Sequence, residues 1–349
     1  MHLCNKLLRW YYHQNIDLPW RYNSDPYRVW ISEIMLQQTQ VKTVIPYYET
    51  WMSKYPTLLS LSNSKLDDLL YLWQGLGYYK RVISIYDTVQ IIKRKYGLKI
   101  PNDFNTLLTL PGIGDYTASA ISAIAFKKKH IPIDGNIKRI VSRIYQYSNL
   151  HSNLTKYKFL SQKLINNSKI SDSVQALMDL GRVICKPKLP LCKICPLKSH
   201  CQSYQNDNVS LYPPILVRKK IPTYNVVVGL IIKNKNFLIS KRPKDGLLGN
   251  LWELPGGKIN IEETKESCLL REVKEEIDID IKIVKEIGVI KHQYSHFKVI
   301  ITLFKCHYIS GTEKAIASQE IRWIGFNQKK QFAFPVATHK LFKLLDSKV

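Results

Sequence analysis

The spacing of apolar residues predicts a succession of short helices over the first part of the chain. In 64-SKLDDLLYLW-73 and in 118-ASAISAIAF-126, apolar residues recur every three or four positions, which places them on one face of a helix. Breakers such as Gly75 and Pro111 interrupt these stretches and end the helices. We therefore expect an all-α domain over residues 1–205.

The pattern changes after residue 205. Residues 206–222 lose periodicity and carry a Pro-Pro pair among polar and basic residues, which is typical of a linker. From residue 223, the runs YNVVVGLIIK, NFLISKR and VIITLFKC are β-branched and aromatic, as in strands. One helix pattern, 264-TKESCLLREVKEEI-277, lies among them. We expect an α/β domain over residues 223–349, and hence a multidomain protein.

Composition narrows the cellular setting. The chain has 349 residues, of which 45% are hydrophobic, enough for two domains with separate cores. No apolar run approaches the ~20 residues that cross a bilayer, so we expect no membrane partner. The first twenty residues lack the apolar region and cleavage site of a signal peptide. A reducing cytoplasm, at the nucleoid of a bacterium, is the expected location, and the expected state is a monomer.

The chain is strongly basic, with a formal net charge of +25 at pH 7. Residues 1–222 carry an excess of 18 positive charges and residues 223–349 an excess of 7. Such an excess indicates a polyanionic partner, and its distribution makes the first domain the better candidate for binding phosphates. AT-rich genomes also enrich proteins in Lys, Ile, Asn and Tyr, so the charge alone does not separate function from genome composition.

Four cysteines lie within seventeen residues, in the order C-x6-C-x2-C-x5-C: Cys185, Cys192, Cys195 and Cys201. Thiolates gathered this closely are typical of a [4Fe–4S] cluster. Zinc also accepts four sulfurs, but a zinc ribbon usually has two C-x2-C pairs and here there is one. Disulfides are disfavoured because nothing else in the chain indicates secretion. We expect a cluster loop over residues 185–201.

The segment 110-LPGIGDYTASAI-121 predicts two helices joined by a tight hairpin, over about residues 106–126. Gly112 and Gly114 allow the turn and leave backbone N–H groups free at the start of the second helix. Those donors and the helix dipole bind a DNA phosphate without reading sequence. The hairpin is followed at close range by 134-DGNIKR-139 and then by the four cysteines.

Hairpin, DGNIKR segment and cysteine spacing together resemble the endonuclease III-like helix–hairpin–helix superfamily of DNA glycosylases over residues 1–205. The string at 32–41, SEIMLQQTQV, resembles the MutY family, which removes adenine from double-stranded DNA where it is mispaired with 8-oxoguanine or guanine. The resemblance implies a [4Fe–4S] cofactor on the four cysteines, Glu33 as the catalytic acid and Asp134 as the stabiliser of the oxocarbenium ion. Independently, a carboxyl among apolar neighbours has a raised pKa, which suits a general acid near neutral pH. The plain alternative is a solvated surface glutamate.

Position 116 distinguishes members of the superfamily. Members that cut the DNA backbone have a lysine there, which forms a Schiff base with the sugar, whereas this chain has Tyr116. The resemblance therefore implies a monofunctional glycosylase, in which Tyr116 and Asn136 orient the catalytic groups. The alternative is that Tyr116 only packs at the start of a helix.

The resemblance also implies residues that hold the DNA bases. Gln38 and Tyr78 match the family's wedges, which fill the gap beside the orphaned partner base. Trp20, Arg21 and Gln175 match positions around the extruded adenine, although Trp20 is also what a helical core would contain.

The C-terminal domain allows two interpretations. Its segment 256–279 resembles the Nudix box of pyrophosphate hydrolases, and a glutamate pair on one helix face suits Mg²⁺. The box departs from its pattern at Asp278, where a glycine is usual. The positions that match are Gly257, Glu263, Arg271, Glu272, Glu275 and Glu276.

The segment 292-HQYSHFKV-299 resembles the loop with which the MutY family recognises 8-oxoguanine, with tyrosine in place of the usual phenylalanine. It implies that Tyr294, Ser295 and His296 lie near the lesion, and we expect lesion recognition rather than nucleotide hydrolysis. Three alternatives stay open: an endonuclease III-like glycosylase/lyase, a Nudix diphosphatase activity in this domain, and a DNA-binding protein without catalysis.

Overall fold

The computed structural model describes residues 2–14, 16–148, 153–214 and 221–347. They form two compact units, Met1–Asn63 with Ser84–Arg218, and Ser64–Ile83 with Lys219–Val349. Residues 215–220 of the predicted linker lie outside the described residues. Within the described ranges, no helix has the length and apolar character needed to cross a bilayer.

The chain up to residue 214 is helical, as the apolar spacing predicts. Short 3-10 turns cover Pro19–Arg21, Asn167–Lys169, Cys192–Ile194, Lys198–His200 and Val209–Leu211. The α-helices are α1 His2–Tyr12, α2 Pro26–Leu36, α3 Val41–Lys54, α4 Leu58–Ser62, α5 Leu66–Leu72, α6 Lys80–Tyr96, α7 Phe104–Leu108, α8 Asp115–Ala120, α9 Gly135–Ile144, α10 Leu154–Gln162, α11 Ile170–Asp179 and α12 Gln202–Gln205.

Helix α2 is the most completely buried helix that bears a predicted site residue. Asp25 caps it by accepting a hydrogen bond from the backbone N–H of Arg28, and Pro26 occupies its first turn. Every residue from Val29 to Met35 is buried. Glu33 is therefore surrounded by protein although it is charged in water, and its burial follows from the apolar residues on both sides of it.

Two helices continue into π-helical segments. Helix α8 runs on through Ile121–Ala125, and α11 runs on through Leu180–Ile184, which ends next to Cys185. A π segment inserts one extra residue into a helix, and such insertions occur often at functional sites. Each of them contributes a lining residue, Ile124 or Arg182, to the pocket described below.

The second unit is built on a six-stranded sheet. Its strands are β1 Thr223–Lys233, β2 Asn236–Lys241, β3 Trp252–Glu253, β4 Ile279–Gln293, β5 Lys298–Gly311 and β6 Glu320–Gly325. The order is β3-β2-β1-β5-β4, with β6 also paired to β2. Strands β1 and β5 are parallel, and the other pairs are antiparallel.

One helix covers each face of the sheet. On one face, Val227 and Ile231 of β1 pack with residues of α13, Lys265–Ile277. On the other face, Val228 and Leu230 pack with residues of α14, Val336–Asp346. The side chains of a strand alternate between faces, so β1 supplies both cores. The predicted helix at 264–277 is confirmed, with Thr264 as its N-cap.

Residues 64–83 belong to the second unit, although the sequence places them inside the helical domain. Their contacts in that unit include a salt bridge of 2.8 Å between Lys241 Nζ and Asp67 Oδ1. Apolar spacing shows that α5 buries one face, but it does not show what covers that face. Only the folded chain reveals that its neighbours come from more than 150 positions later in the sequence.

Candidate active site

One pocket in the first unit contains all four residues predicted to be catalytic. Its volume is about 160 Å³, and it opens between α2, α8, α9 and α11. Glu33, Tyr116, Asp134 and Asn136 line it. The three residues predicted to hold the adenine, Trp20, Arg21 and Gln175, line the same pocket.

Glu33 is a deeply buried carboxyl of the pocket, with 5% of its surface exposed. Burial raises the pKa of Glu33 to about 7; the hydrogen bond from Tyr116 opposes this rise, and the nearby Asp134 adds to it. The hydroxyl of Tyr116 donates to Glu33 Oε2 at 2.7 Å. Burial and the neighbouring carboxylates raise the pKa of Tyr116 itself, so it stays a donor. A carboxyl with this pKa holds a transferable proton near neutral pH.

Asp134 is the N-cap of α9, and hydrogen bonds from the first turn of that helix hold its carboxyl group. Its Oδ1 accepts from the backbone N–H of Ile137 at 2.7 Å, and its Oδ2 accepts from the amide of Asn136 at 2.9 Å. Burial raises the pKa of Asp134, and these hydrogen bonds act against the rise because they favour the ionised form. The sequence DGNI thus fixes a carboxylate at a helix start, where the dipole also favours negative charge.

Arg139 extends this arrangement toward the cysteine loop, and sequence reasoning missed it. Its Nη2 donates to Asn136 Oδ1 at 2.8 Å, and its Nε donates to the carbonyl of Cys185 at 2.7 Å. Gly181 allows the close packing behind Asn136, since a Cβ there would lie 2.5 Å from Asn136 Cβ. The only sequence signal was that Arg139 ends the DGNIKR segment.

A buried ion pair also lines the pocket. Asp179, only 1% exposed, pairs with Arg21 and also accepts from Arg182 at 3.2 Å. Asp179 was likewise missed, although it lies one helical turn after Gln175 on α11. Trp20 is buried and packs edge-on against Tyr48, with ring centroids 5.5 Å apart. It is therefore both a core residue and a lining residue of the pocket.

The two predicted wedges share an unusual backbone. Gln38, in the first unit, and Tyr78, in the second, have φ values of +55° and +51°, and both side chains are exposed. Residues other than glycine rarely adopt this left-handed region, and bulky ones do so at a cost. Such strain is often retained at functional sites.

The hairpin before α8 has the geometry that its glycines predict. Gly112 has φ +73°, and a Cβ there would lie 2.5 Å from Ser84 Cβ on α6. Gly114 is the N-cap of α8, which leaves the first backbone N–H groups of that helix without a side-chain cap. The donors expected for a phosphate are therefore available.

The four cysteines of the loop line one small cavity together with Arg143. All seven cysteines of the chain are free thiols. Arg143 Nη1 lies 3.3 Å from Cys185 Sγ and also donates to the carbonyl of Lys186. Among the described residues, no three His, Cys, Asp or Glu side chains converge closely enough to hold a single metal ion. The thiols surround a space, and as donors they suit a soft, polynuclear iron–sulfur centre.

In the second unit, the predicted lesion-reading residues follow β4. Tyr294 is half-buried against the core, with its ring near those of His292 and Phe297, while Ser295 and His296 are exposed. The hydroxyl groups of Ser295 and Tyr78 share a hydrogen bond of 2.5 Å. No spacing pattern predicts this contact, because its two residues are 217 positions apart.

The residues of the Nudix box lie on and before α13, with Arg271 at their centre. Arg271 bonds to Glu263, Glu272 and Glu275 at 2.7, 3.0 and 3.0 Å. Burial, with Glu253 and Glu272 nearby, raises the pKa of Glu276 to about 7. Asp278 takes the left-handed conformation in which a glycine is usual, and salt bridges to Lys274 and Lys314 hold it there. One guanidinium thus engages three of the carboxylates that a magnesium ion would need.

Two family models match the chain: "HhH-GPD superfamily base excision DNA repair protein" over residues 31–165 and "NUDIX domain" over residues 227–344. The chain is 39% identical to an adenine DNA glycosylase of Buchnera aphidicola subsp. Schizaphis graminum, covering 83% of each protein. It is 36% identical to that of Buchnera aphidicola subsp. Acyrthosiphon pisum over 97% of this chain and 95% of the relative. The human adenine DNA glycosylase is 29% identical, over 97% of this chain and 73% of its own length.

Solved structures agree on the helical fold. A thermostable thymine-DNA glycosylase superposes with a TM-score of 0.54 at 26% identity, over 58% of this chain and 95% of its own. An endonuclease III–DNA complex gives 0.51 at 20% identity, over 59% and 95%. By these relatives and this fold, the chain belongs to the adenine DNA glycosylase family, the hydrolases that remove adenine from DNA in base excision repair.

Proposed function

We propose that this enzyme is a monofunctional glycosylase that removes adenine opposite 8-oxoguanine or guanine, with Glu33 as the acid and Asp134 as the stabiliser of the sugar cation. One observation carries the assignment. Two carboxyls of one pocket differ in their surroundings: burial raises the pKa of Glu33 to about 7, whereas Asp134 accepts two hydrogen bonds that favour its ionised form. Two carboxyls with different protonation states are what glycosidic hydrolysis requires.

The chemistry follows from these two states. Glu33 transfers its proton to N7 of adenine, so that the base leaves neutral as its bond to C1′ breaks. The electron pair of that bond goes with the base, and the positive charge that remains on the sugar faces the Asp134 carboxylate. A water molecule then adds to C1′ and loses a proton, which leaves an abasic site. The adenine must first leave the duplex stack, because N7 and C1′ are not both accessible inside it.

The remaining pocket residues orient these groups. Tyr116 holds Glu33 through its 2.7 Å hydrogen bond, and Asn136 holds Asp134 at 2.9 Å. Tyr116 has no amine with which to form an imine, which supports hydrolysis without strand cleavage. Trp20, Arg21 and Gln175 line the same pocket, which supports their proposed contact with the extruded adenine.

Recognition of the partner base is assigned to the exposed residues. Gln38 and Tyr78 enter the gap beside the orphaned base, and Tyr294, Ser295 and His296 read the lesion. The hydrogen bond between Tyr78 and Ser295 supports this assignment because it brings a wedge and a reader together within the second unit. We expect the enzyme to act as a monomer on the DNA of a bacterial nucleoid, in the cytoplasm.

Cys185, Cys192, Cys195 and Cys201 would hold the [4Fe–4S] cluster, because they line one cavity and are all free. A cluster bound there would brace the loop, and the proposed hydrolysis transfers no electrons and so needs no redox centre. We expect DNA phosphates to bind the lysines on or beside that loop, Lys186, Lys188, Lys193 and Lys198. Purified protein should be yellow-brown, with broad absorption near about 400 nm and about four irons per chain. Stoichiometric zinc without iron would contradict the cluster.

The substrate is tested with three duplexes, in which adenine faces 8-oxoguanine, guanine or thymine. We expect adenine release from the first two and none from the third, with Glu33→Gln as the inactive control. Strand breaks should appear only after alkali. Equal activity on the adenine–thymine duplex would contradict the mispair assignment, and strong cleavage without alkali would contradict the monofunctional one.

A further inference from the structure

We propose that Gln74 is a positioning residue that holds Tyr78 beside Ser295, so that the wedge is aligned by its contacts with the chain around the start of α14. The inference rests on the roles proposed above for Tyr78 and Ser295. It concerns only the second unit, which contains residues 64–83 as well as the sheet.

The side chain of Gln74 meets polar partners at both its oxygen and its nitrogen. Its Oε1 accepts from the backbone N–H of Phe334 at 3.1 Å and from Nε2 of His339 at 2.7 Å. Its Nε2 donates to the carbonyl of Tyr71 at 3.1 Å. Because the oxygen faces a backbone donor and the nitrogen faces a carbonyl, these backbone partners fix the orientation of the amide, and His339 must then carry a proton on Nε2.

Further contacts anchor the same segment. The hydroxyl of Tyr79 donates to the carbonyl of Phe334 at 3.4 Å, so Phe334 is bonded through both of its backbone groups. Asp67 pairs with Lys241 at 2.8 Å. Gln74, four residues before Tyr78, and Tyr79, immediately after it, are therefore both bonded to Phe334, which precedes α14 in the chain.

This anchoring explains how Tyr78 keeps its backbone conformation. Gly75 and Gly77 have φ values of +93° and +75°, so the chain turns sharply between Gln74 and Tyr78. The backbone of Tyr78 is itself in the left-handed conformation, which a tyrosine keeps only where its surroundings force it. Fixed on both sides, it presents its hydroxyl to Ser295 at 2.5 Å.

Loss of the Gln74 oxygen would release one side of the turn. Tyr78 would then lose its alignment with Ser295, while the pocket that carries Glu33 and Asp134 lies in the other unit and keeps its own contacts. The expected defect is therefore selective. Discrimination between 8-oxoguanine and guanine should fall, and the removal of adenine opposite guanine should change little.

The test uses the full chain with its cluster. Single-turnover rates of adenine removal are measured opposite 8-oxoguanine and opposite guanine for the wild type, Gln74→Leu, Ser295→Ala and the double variant. We expect each single change to lower the ratio of the two rates by about tenfold, as for one hydrogen bond, and the double variant to fall no further. Gln328→Leu is the matched control, because Gln328 accepts from the N–H of Gly325 elsewhere in the same unit. Its ratio should equal that of the wild type.

A second pair of variants covers the case in which Gln74→Leu does not fold. His339→Gln keeps an N–H donor toward Gln74 and should retain the ratio, whereas His339→Leu removes the donor and should lower it. If His339 only supported the fold, both variants would change the ratio by the same amount.

Each result has a distinct meaning. If Ser295→Ala lowers the ratio while Gln74→Leu and His339→Leu do not, the positioning role is wrong and lesion reading stands. If none of these variants changes the ratio, the positioning role of Gln74 and lesion reading by Ser295 are both wrong. If Gln74→Leu lowers it and Ser295→Ala does not, Gln74 acts through Tyr78 and the role of Ser295 is wrong. An equal loss of rate on both duplexes would overturn the inference.

Discussion

Glu33 links catalysis to stability through one proton. Its pKa rises from 4.5 to about 7 because the folded protein removes its carboxylate from water. The folded chain therefore binds this proton more tightly than the unfolded chain. Ionisation of the buried carboxyl therefore lowers the free energy of unfolding. This loss is absent below about pH 4.5, grows as pH rises, and is complete above about pH 7.

Replacing Glu33 with glutamine should separate the two effects. Adenine release should be lost, while binding to mispaired DNA remains, since the amide keeps the shape but has no proton to give. At pH 8 the variant should be more stable than the wild type by roughly 3 kcal/mol, and at pH 4 about equally stable. Urea unfolding at both pH values measures this difference, and normal turnover by the variant would refute the acid assignment.

Tyr116 tunes the same proton. Its hydrogen bond favours the ionised form of Glu33, so Tyr116→Phe should raise the pKa of Glu33 above its present value near 7. The single-turnover rate of the wild type should fall as pH rises through about 7, and in the variant this fall should occur at higher pH. A shift toward lower pH would mean that Tyr116 acts in another way.

At the scale of elements, the hairpin before α8 depends on Gly112. Gly112→Ala adds a Cβ at 2.5 Å from Ser84 and forces alanine to φ +73°, which should cost roughly 1–3 kcal/mol and weaken DNA binding. Gly97→Ala is a matched control, since Gly97 also has a positive φ, +54°, but open space around it. We expect Gly97→Ala to lose some stability and keep its DNA affinity, as measured by fluorescence anisotropy. Equal affinities of the two variants would argue against the hairpin as a phosphate site.

The elements also show what could be predicted from the sequence. Helix α13 was predictable because its cap, Thr264, and its apolar face are local features. The lining of one pocket by Glu33, Tyr116 and Asp134 could be anticipated only through motifs that resemble a family. Arg139 and Gln74 could not be found, because their partners lie 46 and 260 residues away and no spacing rule connects them.

At the scale of the whole molecule, the salt dependence of DNA binding shows whether the basic charge serves binding or only reflects genome composition. If the excess of 18 positive charges in residues 1–222 binds phosphates, the logarithm of the DNA affinity should fall linearly with the logarithm of salt concentration. Each phosphate contact adds about 0.9 to the slope, so several contacts give a slope of several units. A slope near zero would mean that the charge is compositional.

The membership of residues 64–83 in the second unit makes that unit discontinuous along the chain. A single cut engineered between Pro214 and Ile221 would leave residues 64–83 in the earlier fragment, although the later fragment needs them to complete its core. The two fragments should therefore elute together in gel filtration and separate only in denaturant. Expressed from two genes, they should reconstitute one another as a split enzyme. The later fragment alone should aggregate, because the surface normally covered by Gln74 and Tyr79 would be exposed.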